Sequence, residues 1–383
     1  MVHILLSIIY LSFISLGLPD GLLGAAWPTI YPQMNIPVSY AGIVSIIICI
    51  GTITSSLLSE RFTYRFGAGK VTVISVAMTA LALLGFSIST SFWMLCLWSI
   101  PYGLGAGSVD AALNNYVALH YSSRHMSWLH CMWGVGASVG PYIMGLVLTG
   151  GNQWSQGYLY VGIAQIVLCG IILFSLPLWR QVNQSEQAKP LGIKQTLKIP
   201  GAKQAMISFF GYCALEQTAA LWSASYFHLH GGFNAETAAY LGSLFFMGIT
   251  LGRAISGFIA SRFTDHTMIR LGFGIIATGI VLLLLPLGQI GAFAGLLTIG
   301  LGCSPIYPCM MHTTPTLFGT GRSQALMGLQ TASAYVGTAL MPPLFGLIAN
   351  HISISLLGSF LLVQLILMVF SYQKLNKLCK KPA

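Results

Sequence analysis

Twelve long apolar runs, separated by short polar gaps, account for nearly the whole chain. They fall at 4–29, 40–60, 70–89, 92–118, 127–149, 157–179, 204–228, 238–260, 269–287, 290–311, 324–347 and 353–373. A helix needs about 20 apolar residues to cross a bilayer core. Only a helix satisfies its own backbone groups in such a run, so each predicts a membrane-spanning helix. The gaps alternate in charge. Those after runs 2, 4, 6, 8 and 10, with the run ends that border them and the C-terminal tail, hold Arg61, Arg65, Lys70, Arg124, Arg180, Lys189, Lys194, Lys198, Lys203, Arg262, Arg270, Arg322, Lys374, Lys377, Lys380 and Lys381. The gaps after runs 1, 3, 5, 7, 9 and 11 hold none. Lys and Arg resist translocation and mark the cytoplasmic side. The chain is therefore expected to cross twelve times, in a cell membrane, with both termini inside.

Composition agrees with that picture. Only 6% of residues are charged and 55% are apolar, against about 25% charged in a soluble domain. A formal charge of +10 would point to nucleic acid in a soluble chain. Here it is a topology signal, with some attraction to anionic lipid on the inner face. The eight cysteines show no metal-ligand spacing and no disulfide framework, and read as small packing residues. The N-terminus lacks the positive region of a signal peptide, so run 1 reads as a retained span. No phosphate-binding Gly-x-x-x-x-Gly-Lys loop and no Ser/His/Asp arrangement occurs. Neither an enzyme, a cofactor nor a bound metal is expected.

The longest polar stretch, Arg180 to Lys203, lies midway along the chain. It reads as a cytoplasmic linker, 181–203, between an N-terminal bundle at 1–180 and a C-terminal bundle with a short tail at 204–383. The halves carry a weak repeat at an offset of 201 residues. Arg61-Phe62-Thr63 returns as Arg262-Phe263-Thr264, Gly51 as Gly252, Gly136 as Gly337 and Pro141 as Pro342. Six crossings per half give both halves the same direction, the parallel repeat of two-bundle transporters. The expected fold class is all-α and integral to the membrane, with twelve transmembrane helices in two pseudo-symmetric six-helix bundles.

Of seven acids, Glu60, Glu186 and Asp265 fall in inner gaps and Glu236 in an outer one, which leaves Asp20, Asp110 and Glu216 inside spans. An ionisable group there costs at least about 2.5–3.5 kcal/mol, so it faces a cavity, a partner or a bound proton. Asp20 sits in Gly17-Leu-Pro-Asp-Gly-Leu-Leu-Gly24, where Pro19 removes a backbone donor and interrupts the helix. It reads as a substrate or proton site, or as a wet carboxylate near the outer end. Asp110 and Asn114 lie one turn apart, so they share a face that both accepts and donates hydrogen bonds. The alternative is a buried polar pair holding two helices together. Glu216, followed by Gln217 and Trp222, reads as substrate contact or as an interhelical hydrogen bond. Arg253, the one basic residue inside a span, requires a carboxylate or carbonyl partner and reads as a gating or structural ion pair. His130 could shuttle protons or simply pack. Gln330 adds a polar group in run 11. Trp27, Trp133, Trp222, Tyr307 and Tyr335 could stack on a sugar ring or serve as packing.

The loop Ser59-Glu60-Arg61-Phe62-Thr63-Tyr64-Arg65-Phe66-Gly67-Ala68-Gly69-Lys70, with twelve spans and a central linker, resembles the major facilitator superfamily. Glu60 stands where that pattern usually has Asp. Within the superfamily, Gly-x-x-Asp-Gly-x-x-Gly around Asp20, Gly103-Leu-Gly-x-Gly-x-x-Asp-Ala-Ala-x-Asn114, Leu-Gly-Arg at Arg253 and Pro-Ile-Tyr-Pro at Tyr307 look like the fucose–proton symporter branch. The resemblance implies that Asp20 and Asp110 join proton and sugar transport. Asp110 replaces the usual Glu and lacks the Pro that follows the branch's Asn, so the sugar need not be fucose. The reading is a proton-driven symporter of a sugar-like molecule, a monomer in lipid, working by alternating access. Asp20, Asp110, Asn114, Glu216, Trp222, Tyr307 and Gln330 would serve substrate and protons. Glu60, Arg61, Arg65, Arg253 and Arg262 would form ion pairs and gates. The rival is a proton-coupled drug or metabolite exporter, which the Gly-x-x-x-Gly-Pro ending near Pro141 in run 5 resembles.

Overall fold

The computed structural model describes residues 2–37, 40–179, 190–233 and 235–379. Arg180, Glu186, Lys189, Lys380 and Lys381, with most of the polar half of the expected linker, lie outside the described residues. The described chain is helical, in the order α1 (Val2–Gly17), α2 (Leu22–Gln33), α3 (Ala41–Ser87), α4 (Phe92–His120), α5 (Ser123–Thr149), α6 (Trp154–Ser175), α7 (Ile193–Thr196), α8 (Ala202–Leu229), α9 (Ala235–Ile259), α10 (Asp265–Leu284), α11 (Gly288–Cys303), α12 (Ile306–Phe318), α13 (Thr320–His351) and α14 (Leu357–Cys379).

Nine described stretches are long and apolar enough to cross a membrane. One of them, α3, has 47 residues, about 70 Å at 1.5 Å per residue and more than twice the ~30 Å hydrocarbon core. Its helical geometry fails at Gly67, where φ is 77° and ψ 157°, a conformation that residues with a Cβ avoid. A Cβ on Gly103 of α4 would lie 2.2 Å from the Ile48 carbonyl, and one on Gly105 would lie 2.6 Å from that of Ser75. Two neighbouring positions of α4 thus touch both halves of α3, so the halves lie side by side as two spans. The 28 residues of α8 and the 25 of α9 supply two more. Nine stretches, the second half of α3, α8 and α9 bring the spans to twelve.

Two runs are broken where proline removes a donor. Run 1 divides into α1 and α2 at Leu18–Gly21, around Pro19, and run 10 into α11 and α12 at Ser304–Pro305. Burial is inverted relative to a soluble protein. Phe174, Ile290 and Trp93 are 86%, 79% and 76% exposed, whereas Ser56, Ser59, Ser99, Thr218 and Gln330 are buried. Apolar side chains facing lipid and small polar ones facing neighbouring helices are the packing rule of membrane bundles.

The helices form two compact units. The first comprises Met1–Tyr116 and Leu129–Leu191, the second Val117–Trp128 and Gly192–Ala383. The turn from α4 to α5 therefore packs with the second unit, although the sequence places it within 1–180. Its tie to that unit is polar and is described below. Past residue 191 the chain joins the second unit through α7, which packs on α13 and buries Thr196. The first unit has a core of Leu22, Trp27, Ile30, Phe86, Leu95, Trp154 and Tyr158 among others. Trp27 is thereby a core residue and has no ring face for a sugar.

Candidate functional site

In the first unit the chain break places Asp20. The carboxylate is exposed and accepts the indole N–H of Trp133 at 2.9 Å on Oδ2 and the hydroxyl of Tyr102 at 3.4 Å on Oδ1. Trp133 reaches it because α5 meets α1 backbone to backbone. A Cβ on Gly17 would lie 2.2 Å from the Trp133 carbonyl, and one on Gly140 would lie 1.8 Å from that of Leu18. Asp110 on α4 is buried, as are Asn114 and His130. Asn114 Nδ2 donates to Asp110 Oδ1 at 2.8 Å and to the Asp110 carbonyl at 3.0 Å, while His130 Nε2 stands 3.0 Å from Asn114 Oδ1. The result is one exposed acid held by two ring donors and one buried acid held by an amide.

In the second unit, Arg253 and Glu216 form a buried pair, Nη2 to Oε1 at 3.4 Å. The sequence left Arg253's partner open among Asp110, Glu216 and carbonyls, and the fold selects Glu216. Tyr212, one turn before Glu216, donates to the Cys303 carbonyl at 3.1 Å, and the Tyr307 ring lies 5.8 Å from that of Tyr212. Tyr307 thus joins the surroundings of the pair through Tyr212. Trp222 and Gln330 are occupied with packing. The Trp222 indole donates to the Pro342 carbonyl at 2.9 Å with its ring against Phe345, and Gln330 Oε1 accepts from Thr314 at 3.1 Å.

A third cluster was not foreseen. Asp265, the first residue of α10, accepts from Ser123, the first residue of α5 just past the α4–α5 turn, and from His312 Nδ1 at 2.6 Å. His312 Nε2 lies 3.3 Å from the Tyr121 carbonyl. Both ring nitrogens face acceptors, which only the doubly protonated ring satisfies in full. This network ties the turn to the second unit. Of the residues expected to gate, Arg61, Arg65 and Arg262 are exposed and Glu60 is half-buried beside Arg61 and the Leu191 backbone. Ion pairs among the described residues join Arg253 to Glu216 and His312 to Asp265.

The profile of the Major Facilitator Superfamily matches residues 9–342. The chain belongs to this superfamily. It is a membrane-embedded transporter and not an enzyme. Relatives include Bypass of stop codon protein 6 of Saccharomyces cerevisiae, 23% identical over 282 residues, a match covering 66% of this chain and 56% of that protein. The cis,cis-muconate transport protein of Acinetobacter baylyi is 26% identical over 369 residues, covering 88% and 84%. Among solved structures, the superfamily transporter FucP in the outward conformation aligns with a TM-score of 0.81 at 13% identity, covering 96% of this chain and 98% of that one. The proton:xylose symporter XylE aligns with a TM-score of 0.78 at 12% identity, covering 98% of each. At these identities the structural likeness establishes the superfamily fold.

Within that superfamily fold, the sequence located Asp20, Asp110, Asn114 and the Glu216/Arg253 pair but missed their partners. Tyr102 and Asp265 carried no visible signal, because each acts through a contact more than 80 residues away in sequence. His130 and Trp133 did carry one, since their spacing puts them one turn apart on α5.

Proposed function

We propose that this transporter is a proton-coupled symporter of a sugar or similarly hydroxylated small molecule, working by alternating access as a monomer with both termini inside. The observation that carries the reading is the hydrogen-bonded Asp110–Asn114 pair, buried in a span and accompanied by exposed Asp20. A carboxylate accepts from a sugar hydroxyl, or takes a proton, and an acid in a low-dielectric span is chemically suited to alternate between the two. Asp110 Oδ1 is engaged by Asn114, so a proton or hydroxyl is received at Oδ2. Asp20, the exposed acid, is the entry group, and Trp133, half-buried beside it, offers an apolar face to a sugar ring. Loading both acids neutralises them and lowers the cost of carrying them between the two states of the cycle. The xylose and fucose carriers of the same fold support this substrate class.

One observation favours a second reading. Arg253 is a buried cation 3.4 Å from Glu216, a suitable receptor for a carboxylate, and the muconate carrier is a relative along most of the chain. A small organic acid is then the solute, with Glu216 protonated to release Arg253.

The experiment is solute-driven proton flux in proteoliposomes with an internal pH dye, under a panel of neutral sugars, organic acids and lipophilic cations. Internal acidification on external addition of a neutral sugar supports the first reading. Acidification by acids alone, abolished by Arg253→Gln, supports the second. Movement of protons only with lipophilic cations returns the exporter and overturns both.

A further inference from the structure

Both acids of the first unit are served from one face of α5. Trp133 donates to Asp20 at 2.9 Å, and His130, one turn earlier, reaches Asn114 at 3.0 Å. The orientation of Asn114 follows from elementary chemistry. Its Nδ2 lies 3.0 Å from the backbone carbonyl of Asp110, which can only accept, so nitrogen faces Asp110 whether or not that acid is protonated. The amide oxygen therefore faces His130 Nε2, and Nε2 must carry a hydrogen. Around this ring stand Phe13 of α1, edge-on at 5.5 Å, and Asn114 of α4, with Asp110 behind the amide. On α5 itself, Cys131 adjoins it and Trp133 leads to Asp20. The helix that carries the two donors cannot slide alone. A Cβ on Gly136 would lie 2.1 Å from the Ile14 carbonyl, and Gln165 ties α1 to α3 and α6 by donating to the Ser15 carbonyl at 2.7 Å while accepting from Thr79 at 2.8 Å.

The geometry points to His130 as the positioning residue of Asp110. Its Nε2–H clamps the Asn114 amide, which holds Nδ2 on Oδ1 and leaves Oδ2 to receive the coupling proton. The same helix carries Trp133 on Asp20, so a proton at one acid alters a hydrogen bond that α5 shares with the other. The role needs a donor at Nε2 and no titration of the ring. It rests on the symport reading above. Glutamine carries its amide nitrogen as many bonds from Cβ as Nε2, so His130→Gln can keep the clamp, whereas His130→Met fills space without a donor.

The test compares wild type, His130→Gln and His130→Met in proteoliposomes, reading uphill accumulation against pH, with thermal unfolding in detergent to verify folding. Loss of one buried, charge-linked hydrogen bond is expected to lower accumulation in His130→Met about tenfold or more and to displace its pH profile. His130→Gln is expected to keep the wild-type profile. Two folded variants that both match wild type, or a His130→Gln as inactive as His130→Met, overturn the proposal, the latter because the ring itself would then carry the proton. A second readout needs no transport and no stable Met variant. Nitrogen NMR of histidine-labelled wild-type protein, assigned by the signal missing in His130→Gln, must show Nε2 protonated, and a bare Nε2 overturns the clamp. If wild type moves no protons with any solute, the symport reading fails, while the nitrogen spectrum still judges the clamp.

Discussion

Asp20 and Asp110 are the same residue type given different work by their surroundings. Asp20 is exposed and meets two ring donors, whereas Asp110 is 7% exposed and leans on a side-chain amide. Removing charge from each separates the roles. Asp110→Asn is expected to abolish uphill uptake in vesicles, because an amide can neither take the coupling proton nor accept with two oxygens; unimpaired accumulation removes Asp110 from the mechanism. Asp20→Asn is expected to leave solute movement without linked proton flux, and normal proton flux in that variant removes Asp20 from coupling. In the second unit, Arg253→Met leaves the Glu216 carboxylate buried alone. Breaking a buried pair at one end costs about 3–5 kcal/mol, whereas removing both ends is far milder. Thermal unfolding is expected to show Arg253→Met well below wild type and the Arg253→Met/Glu216→Gln double variant recovering much of the difference. A double variant no better than the single denies the pair that role.

At the scale of elements, backbone contacts between helices place the acids. Gly107 of α4 approaches Thr52 of α3 so closely that a Cβ would lie 2.2 Å from its carbonyl. The Gly103-Leu-Gly-Ala-Gly107 stretch that precedes Asp110 is thus a seam between α3 and α4. Gly107→Leu is expected to prevent folding outright, seen as loss of monodisperse protein in detergent, since backbone cannot retreat as a side chain can. The α4–α5 turn is held differently, through Asp265, Ser123 and His312. Hydrogen bonds to a charged group are worth about 1.5–3 kcal/mol, roughly a tenfold to hundredfold change in local opening. Asp265→Asn is expected to raise hydrogen exchange in the turn by that factor while the helices of the first unit exchange as before. An unchanged turn means the network does not hold it.

At the scale of the whole molecule, the repeat is one of packing as well as letters. Gly51 of α3 meets Gly103 of α4, and its counterpart Gly252 of α9 meets Ser304 beyond α11. Gly136 of α5 meets the Ile14 carbonyl of α1, and Gly337 of α13 meets that of Phe210 of α8. Equivalent positions close equivalent helix pairs in both halves, although few residues match. Sequence by itself determined the membrane, the twelve crossings and the repeat, because hydropathy over about 20 residues and the side taken by Lys and Arg are local properties of a chain in a bilayer. It also singled out the acids and Arg253, since an ionisable group in hydrocarbon needs a reason wherever it lies. The reasons themselves belonged to the tertiary structure. Glu216 facing Arg253, Trp133 and Tyr102 closing on Asp20, and Asp265 bridging to Ser123 and His312 join residues 37 to 142 positions apart. Trp222 and Gln330 were drawn into helix packing by the same agency. Which side chains a buried charge meets is set by how helices pack, and glycine seams and proline breaks distant in the chain decide that.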